Sequence, residues 1–277
     1  MTINCRGKLI DLSSPKVMGI LNITPDSFHD GGQFVNSAEA LKHAEKMLAE
    51  GATFIDIGGM SSRPGAELIT ASEELNRVLP VVQSIVKHLP EAIISVDTLH
   101  AEVAKAVLEA GAHIINDISA GRYDVEMIAT VARYKAPFII MHMQGLPADM
   151  QQAPHYADVV NEVYDFFAER LKACHKAGII DTILDPGYGF GKTVEHNYTL
   201  LRNQSFFANL NQPVLAGLSR KSMICKVLHV NPDKALNGTT AANMLALLNG
   251  AQILRVHDVK EAVECVRIWE AYQKPVL

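Results

Sequence analysis

Ile179-Ile-Asp-Thr-Ile-Leu-Asp-Pro-Gly-Tyr-Gly-Phe-Gly-Lys192 sets the pattern of this chain. A short aliphatic run stops at one carboxylate, Asp185, and gives way to a proline and three alternating glycines. Aliphatic runs of this length between turn formers read as buried strands. Asp185 therefore stands where a strand leaves the core. The glycines let the backbone bend sharply and come close to a bound molecule. The stretch alone leaves two readings of Asp185 open: a turn former, or a carboxylate facing a ligand.

Outward from this stretch the same unit recurs. A small hairpin is expected over 3–12, around Arg6-Gly7-Lys8. Strands are expected at 17–22, 53–56, 92–97, 113–116, 137–142, 182–185, 213–218 and 252–256. Helices are expected at 37–50, 72–88, 100–110, 125–133, 157–177, 194–202, within 222–249, and at 259–272. Leu41, Ala44, Met47 and Leu48 fall at helical spacing, as do Val259, Val263, Val266 and Trp269. Asn36 with Glu39, and Thr70 with Glu73, have capping-box spacing. Strands alternating with helices imply parallel βαβ units. Eight such units make an α/β fold, a single (β/α)8 TIM barrel with a short N-terminal hairpin. An open dinucleotide-binding sheet wants a glycine fingerprint after its first strand; Asn22-Ile-Thr-Pro25 stands there instead. No linker or composition shift interrupts the chain, so one domain is expected over 1–277.

Apolar residues make up 48% of the 277, enough for a sizeable core, and aromatics only 6%, so aliphatic side chains must fill it. The net charge of −5, without a basic run, argues against a nucleic-acid partner. Cys5, Cys174, Cys225 and Cys265 form no CxxC pair, which suits a reducing, cytoplasmic compartment. The N-terminus has no signal-peptide apolar core. The most apolar stretch, 241–254, is broken by Asn243, Asn249, Gly250 and Gln252 and is too short for a bilayer, so no membrane partner is expected.

In barrels of this type the chemistry sits at the carboxyl ends of the strands. Here those ends are Asn22, Asp56, Asp97, Asn116, His142, Asp185, Ser219 with Lys221, and Arg255 with His257. Turn or cap chemistry explains any one of them, but not all eight together. Asp56, Asp97, Asn116 and Asp185 offer acceptors suited to a flat heterocycle with an amidine-like edge. Arg63, Arg255 and His257, with the glycine loops, suit a phosphate or diphosphate. Ser219 to Ser222 opens a helix whose free N–H groups suit a small carboxylate. Gly187 to Thr193 reads G-x-x-x-G-K-T, one residue short of a phosphate-binding loop, and follows the sixth strand. The histidines show no H-E-x-x-H spacing. Met141 and Met143, either side of His142, read as wall or core residues. No acidic cage for a resident metal is visible. A Mg²⁺ arriving with a substrate phosphate needs only one or two protein oxygens, and Asn22 has one to give.

These motifs together resemble the dihydropteroate synthases of the folate pathway. The segments that carry the likeness are Val17 to Gly32, Asp56-Ile-Gly-Gly-Met-Ser-Ser-Arg-Pro-Gly65, Ser95-Val-Asp-Thr98, Asn116-Asp117, Met141-His-Met-Gln-Gly145, Asp185 to Lys192, Gly217-Leu-Ser-Arg-Lys-Ser222 and Arg255-Val-His-Asp258. They run in order from 17 to 258. The resemblance implies a transferase that condenses 4-aminobenzoate with (7,8-dihydropterin-6-yl)methyl diphosphate. It implies that Asp97, Asn116, Asp185 and Lys221 hold the pterin, with Met141 and Gly217 lining its slot. Asn22 would meet Mg²⁺ and the diphosphate, with Arg63, Arg255 and His257 on the anion. Ser62, Pro64, Phe190, Lys221 and Ser222 would frame the aminobenzoate. Asp97 and Asp30 would stabilise a cationic methylene; with Lys221 and Arg63 they form the expected catalytic set. The resemblance also implies a homodimer and a sulfonamide target. Three positions depart from the family pattern: Ser62 in place of threonine, Tyr188 in place of phenylalanine, and His29 in place of a small polar residue. The Ser62 change touches the aminobenzoate side. A related pterin-binding methyltransferase domain would share the barrel but needs neither the diphosphate clamp nor the Ser219 to Ser222 site. A non-catalytic pterin-binding subunit would be expected to have lost Arg63, Lys221, Arg255 or His257, and all four are here.

Overall fold

The computed structural model describes residues 1–23, 33–61, 65–145, 150 and 153–274, with side chains in the first helix from residue 37 onward. The expected roles of Asp30, Ser62, Arg63 and Pro64, the His29 departure and the Asn36 cap lie outside the described residues.

A hairpin of β1 (Thr2–Cys5) and β2 (Lys8–Asp11) opens the chain. The barrel strands follow: β3 (Lys16–Asn22), β4 (Phe54–Gly58), β5 (Ile93–Asp97), β6 (Ile114–Asp117), β7 (Phe138–Met141), β8 (Thr182–Asp185), β9 (Leu215–Ala216) and β10 (Ile253–Val256). Helices α1 (Gln33–Ala49), α2 (Ala71–His88), α3 (Ala101–Ala110), α4 (Met127–Tyr134), α5 (Val159–Ala177) and α6 (Val194–Arg202) each follow a strand of the barrel. The expected helical region after β9 is two helices, α7 (Ser222–Leu228) and α8 (Leu236–Leu248), and α9 (Val259–Gln273) closes the fold. The sheet is parallel, in the order β8-β7-β6-β5-β4-β3-β10-β9. Its two ends meet: Leu184 and Val214 bridge in parallel, and the Leu184 amide donates to the Pro213 carbonyl at 2.8 Å. The seventh barrel strand is shorter than expected. Pro213 has no N–H to give a ladder, and the chain turns at Leu218, whose carbonyl accepts the Lys221 amide at 3.2 Å.

Side chains alternate across a strand, and that rule sorts the barrel. The outward set, including Val17, Leu21, Ile55, Ile57, Ile94 and Val96, packs under the helices. Gly19 leaves room there for the Met47 side chain, whose Sδ would lie 2.4 Å from a Cβ at that position. The inward set is layered. Met18, Phe54, Ile93, Ile114, Ile139, Ile183, Leu215 and Ile253 make an apolar floor, and Ile3, Cys5 and Leu12 from the hairpin segment join that cluster. The hairpin thus plugs the lower mouth of the barrel. Its turn uses positive φ at Arg6 (54°) and Gly7 (93°), which matches the twist of the two strands. Two positions further along, five of the eight strands turn polar inward, at Asp56, Ser95, Asn116, Asp185 and Arg255, while Ile20, Met141 and Gly217 stand at the same level on the other three. Burial of the floor below lets charges collect only at the upper mouth. No described helix is long and apolar enough to cross a membrane.

Candidate active site

Asp97, Asn116, Ile118, Met141, Asp185, Phe190, Gly217, Lys221 and Arg255 line one cleft at the upper mouth. Arg255 organises its base. Its Nε donates to Asp56 Oδ2 at 2.6 Å and its Nη2 to Asp97 Oδ2 at 3.1 Å. Asn116 Nδ2 donates to the same Asp56 Oδ2 at 3.1 Å, which leaves Asn116 Oδ1 buried with no partner among the described residues. Such an acceptor is costly unless a ligand supplies the donor. Burial lifts Asp97 to about 8 against the pull of Arg255, and Asp56 adds to the rise. Burial works against the charge of Arg255 too, but Asp56 and Asp97 outweigh it and raise its pKa.

The second wall is built by the β8–α6 loop. Asp185 Oδ1 accepts the Gly187 amide at 2.8 Å, so the turn-former reading holds for one oxygen. Its Oδ2 lies on the cleft side, 3.9 Å from where a Cβ on Gly217 would stand. That oxygen is the one the cleft exposes. Burial raises the Asp185 pKa, with Lys221 opposing. Lys221 donates to the Tyr188 carbonyl, and its Nζ sits 4.3 Å from the Phe190 ring centroid in a cation–π contact. Burial lowers Lys221 to about 8, with Asp185 opposing. A collar of Leu99, Ile118, Met141, Met143, Met150 and Phe190 gives the mouth apolar flanks, so Met141 and Met143 are wall residues as expected.

Several strand ends do something other than line the cleft. Met141 points inward, so by alternation His142 points out. It stacks edge-on against Phe166 at 4.9 Å and meets Lys192 Nζ through Nδ1 at 3.0 Å. The expectation that all eight polar ends share one cavity fails there. Asp56 points inward but lies fully buried beneath Arg255 and Asn116. Ser219 holds His257: its Oγ accepts the His257 amide at 3.2 Å and lies 3.0 Å from Nδ1. His257 itself is exposed, as is Ser222, the first residue of α7. Asn22 ends β3 beside Gly58 and is half-buried. Arg220 faces away and grips Asp258 with two bonds, 2.9 and 2.7 Å. Thr193, the threonine of the near-phosphate-loop spacing, caps α6 together with His196. Sequence reasoning missed Ile118, which faces in two residues after Asn116, and the work of Lys192. Ile118 was detectable by continuing the alternation; Lys192 was not.

An inward carboxylate–amide–lysine ring on a (β/α)8 barrel, flanked by a methionine-rich wall, defines an enzyme site for a flat, polar-edged small molecule. The family model for pterin binding enzymes matches residues 18–257. The dihydropteroate synthase of Escherichia coli K12 is 48% identical, with 98% of this chain and 96% of that protein aligned. The Yersinia pestis dihydropteroate synthase, solved with a sulfonamide drug, superposes with a TM-score of 0.93 at 46% identity, covering 99% of each chain. The Xanthomonas albilineans dihydropteroate synthase, solved with 4-aminobenzoic acid, gives 0.93 at 42% identity, again covering 99% of each. The chain belongs to the pterin binding enzyme family and, within it, to the dihydropteroate synthases.

Proposed function

We propose that this chain condenses (7,8-dihydropterin-6-yl)methyl diphosphate with 4-aminobenzoate, giving 7,8-dihydropteroate and diphosphate. The observation that carries the reading is the buried, unpartnered Asn116 Oδ1 in a cleft that also presents Asp97, Asp185 and Lys221. The amino-pyrimidinone edge of a pterin supplies N–H donors to Asn116 and Asp185 and an acceptor to Lys221.

The bond from the methylene carbon to the diphosphate oxygen breaks, and its electron pair leaves with the diphosphate. The developing positive charge is shared with the electron-rich pterin and lies near the Asp97 carboxyl, with Asp30 a second candidate from the first loop. The neutral amine of 4-aminobenzoate attacks the methylene, a C–N bond forms, and one proton is shed. The ring of Phe190 and the ammonium of Lys221 supply a flat wall with a cation at its edge, suited to the aminobenzoate ring, with Ser222, Ser62 and Pro64 completing that side. Arg255, His257 and Arg63 are assigned to the diphosphate. Mg²⁺ bound with the diphosphate would neutralise the leaving group. Asn22 fits it with one amide oxygen at the end of β3, which is enough for an ion that arrives with phosphate oxygens.

The four cysteines, none in a disulfide, support a cytoplasmic location. We assign a homodimer interface to the face carrying Leu228, Ala241, Leu245 and Leu248. Ala241, Leu245 and Leu248 fall at helical spacing along α8, where Leu245 is 47% and Leu248 49% exposed, and Leu228 at the end of α7 is 45% exposed. Lys221→Ala and Asp97→Ala are each expected to lose most pteroate synthesis, a drop of about a hundredfold or more in kcat/KM, with the far-ultraviolet circular dichroism unchanged. Near-normal turnover in either folded variant would sink the assignment.

A further inference from the structure

Lys192 closes the Gly187–Gly191 turn from behind. It is 3% exposed. Its Nζ donates to the Gly187 carbonyl at 2.9 Å, the Phe190 carbonyl at 3.0 Å and the His142 carbonyl at 3.3 Å, and meets His142 Nδ1 at 3.0 Å. These four partners take up every N–H the amine has to offer within the protein. The lysine of a phosphate-binding loop must reach an anion. This one is turned wholly inward, which removes the phosphate reading of the stretch on geometry.

Two of its partners belong to the loop after β8 and two to the residue after β7. One side chain thereby joins two loops where the strand ladder stops, at the His142 amide on the Asp185 carbonyl, 3.0 Å. The two backbones touch here. Gly187 has φ +66°, and a Cβ on it would lie 1.9 Å from the His142 carbonyl oxygen. A Cβ on Gly191 would lie 2.4 Å from the Gln144 carbonyl oxygen. The contact leaves carbonyls facing one another with few amides to serve them. Gly187 O has the Phe190 amide at 3.1 Å; Lys192 supplies most of the rest. The same turn carries the Tyr188 carbonyl that receives Lys221 and the Phe190 ring that Lys221 overlies.

We propose that Lys192 is a positioning residue for the aminobenzoate side of the site: its buried amine clasps the Gly187, Phe190 and His142 carbonyls and thereby fixes Phe190 and the Tyr188 carbonyl against Lys221. This inference rests on the function proposed above. Phe190 rides on the clasped turn itself, whereas the pterin is held also by Asp97, Asn116 and Arg255 on other strands, with only Asp185 and Lys221 touching that turn, so the aminobenzoate side should respond more strongly to its loss than the pterin side.

The test is steady-state kinetics of the full-length protein with Lys192→Met, which keeps the length of the side chain and removes the donors. Direct titration of the pterin diphosphate accompanies it. The KM for 4-aminobenzoate is expected to rise about tenfold, the loss of one well-made contact, while the Kd for the pterin diphosphate stays within a factor of about three. Lys192→Gln retains two N–H donors and is expected to recover part of the rise. It carries the same two readouts should the methionine variant fail to fold. Unchanged kinetics in a folded variant would overturn the proposal. A parallel rise in both constants would also overturn it, because it would make Lys192 a general packing residue. Wild-type protein that forms no pteroate overturns the function itself; wild-type turnover with indifferent Lys192 variants overturns this inference alone.

Discussion

The Tyr188 ring is fully buried, and its hydroxyl donates to Gln204 Oε1 at 2.9 Å, on the far side of the loop from Lys221. Gln204 in turn donates to the Ala246 carbonyl at 3.1 Å and the Asn249 carbonyl at 3.2 Å. The departure from the family's phenylalanine is therefore absorbed in the core behind the site, and only the Tyr188 carbonyl takes part in the cleft. Asp97 carries a sharper consequence. Its carboxyl, lifted by burial from 3.8 to about 8, keeps its proton in the ligand-free native state where the unfolded chain has lost it. The native state then binds more protons, so this contribution to stability is full at low pH and is lost as pH rises toward 8. Lys221, lowered from 10.5 to about 8, acts with the opposite slope and above that window. Asp97→Asn is expected to flatten the decline in unfolding free energy between about pH 5 and pH 8. Urea unfolding of wild type and variant across that range checks it, and identical slopes would contradict it.

At the scale of elements, the hairpin and the eight strand–helix units were legible because each strand is a short aliphatic run between turn formers. The phase of each strand was harder to read. Met141 ends β7 and His142 follows it, and the choice of which faces the cleft follows from alternation counted from the buried floor, at Ile139. Counting from the last polar residue picks the wrong one, as it did for His142. Lys192 was hidden for another reason: its partners are backbone carbonyls on two loops, and carbonyls leave no mark in a sequence. The hairpin's placement was also invisible locally, since Ile3, Cys5 and Leu12 find their partners across all eight strands. That placement makes a prediction. Ile3 is 2% exposed in the floor cluster, so Ile3→Ala is expected to cost about 2–4 kcal/mol from lost burial and the cavity left behind. Chemical denaturation measures the loss. Both KM values are expected to stay unchanged, because the floor lies at the opposite end of the barrel from the cleft; an altered KM would contradict the division of the interior into floor and site.

Across the whole molecule, closure of the barrel is what brings together strand ends far apart in sequence. Asp56, Asp97, Asn116 and Arg255 meet through three hydrogen bonds although up to 199 positions separate them. The polar character of the strand ends announced a shared site, and the order of motifs announced the family. The way Asp56 divides itself between Arg255 and Asn116 required the closed ring. The outer surface carries its own expectation. Leu245→Glu together with Leu248→Glu would place two charges on the face assigned to the dimer, where burying them without partners is strongly unfavourable. Sedimentation velocity should then show a monomer of about half the wild-type mass, and an unchanged dimer would move the interface elsewhere. The central claim is tested most directly by one reaction. Purified protein, Mg²⁺, labelled 4-aminobenzoate and (7,8-dihydropterin-6-yl)methyl diphosphate are predicted to give labelled pteroate and diphosphate in equal amounts. Failure to form pteroate in protein that still binds the pterin diphosphate would contradict it.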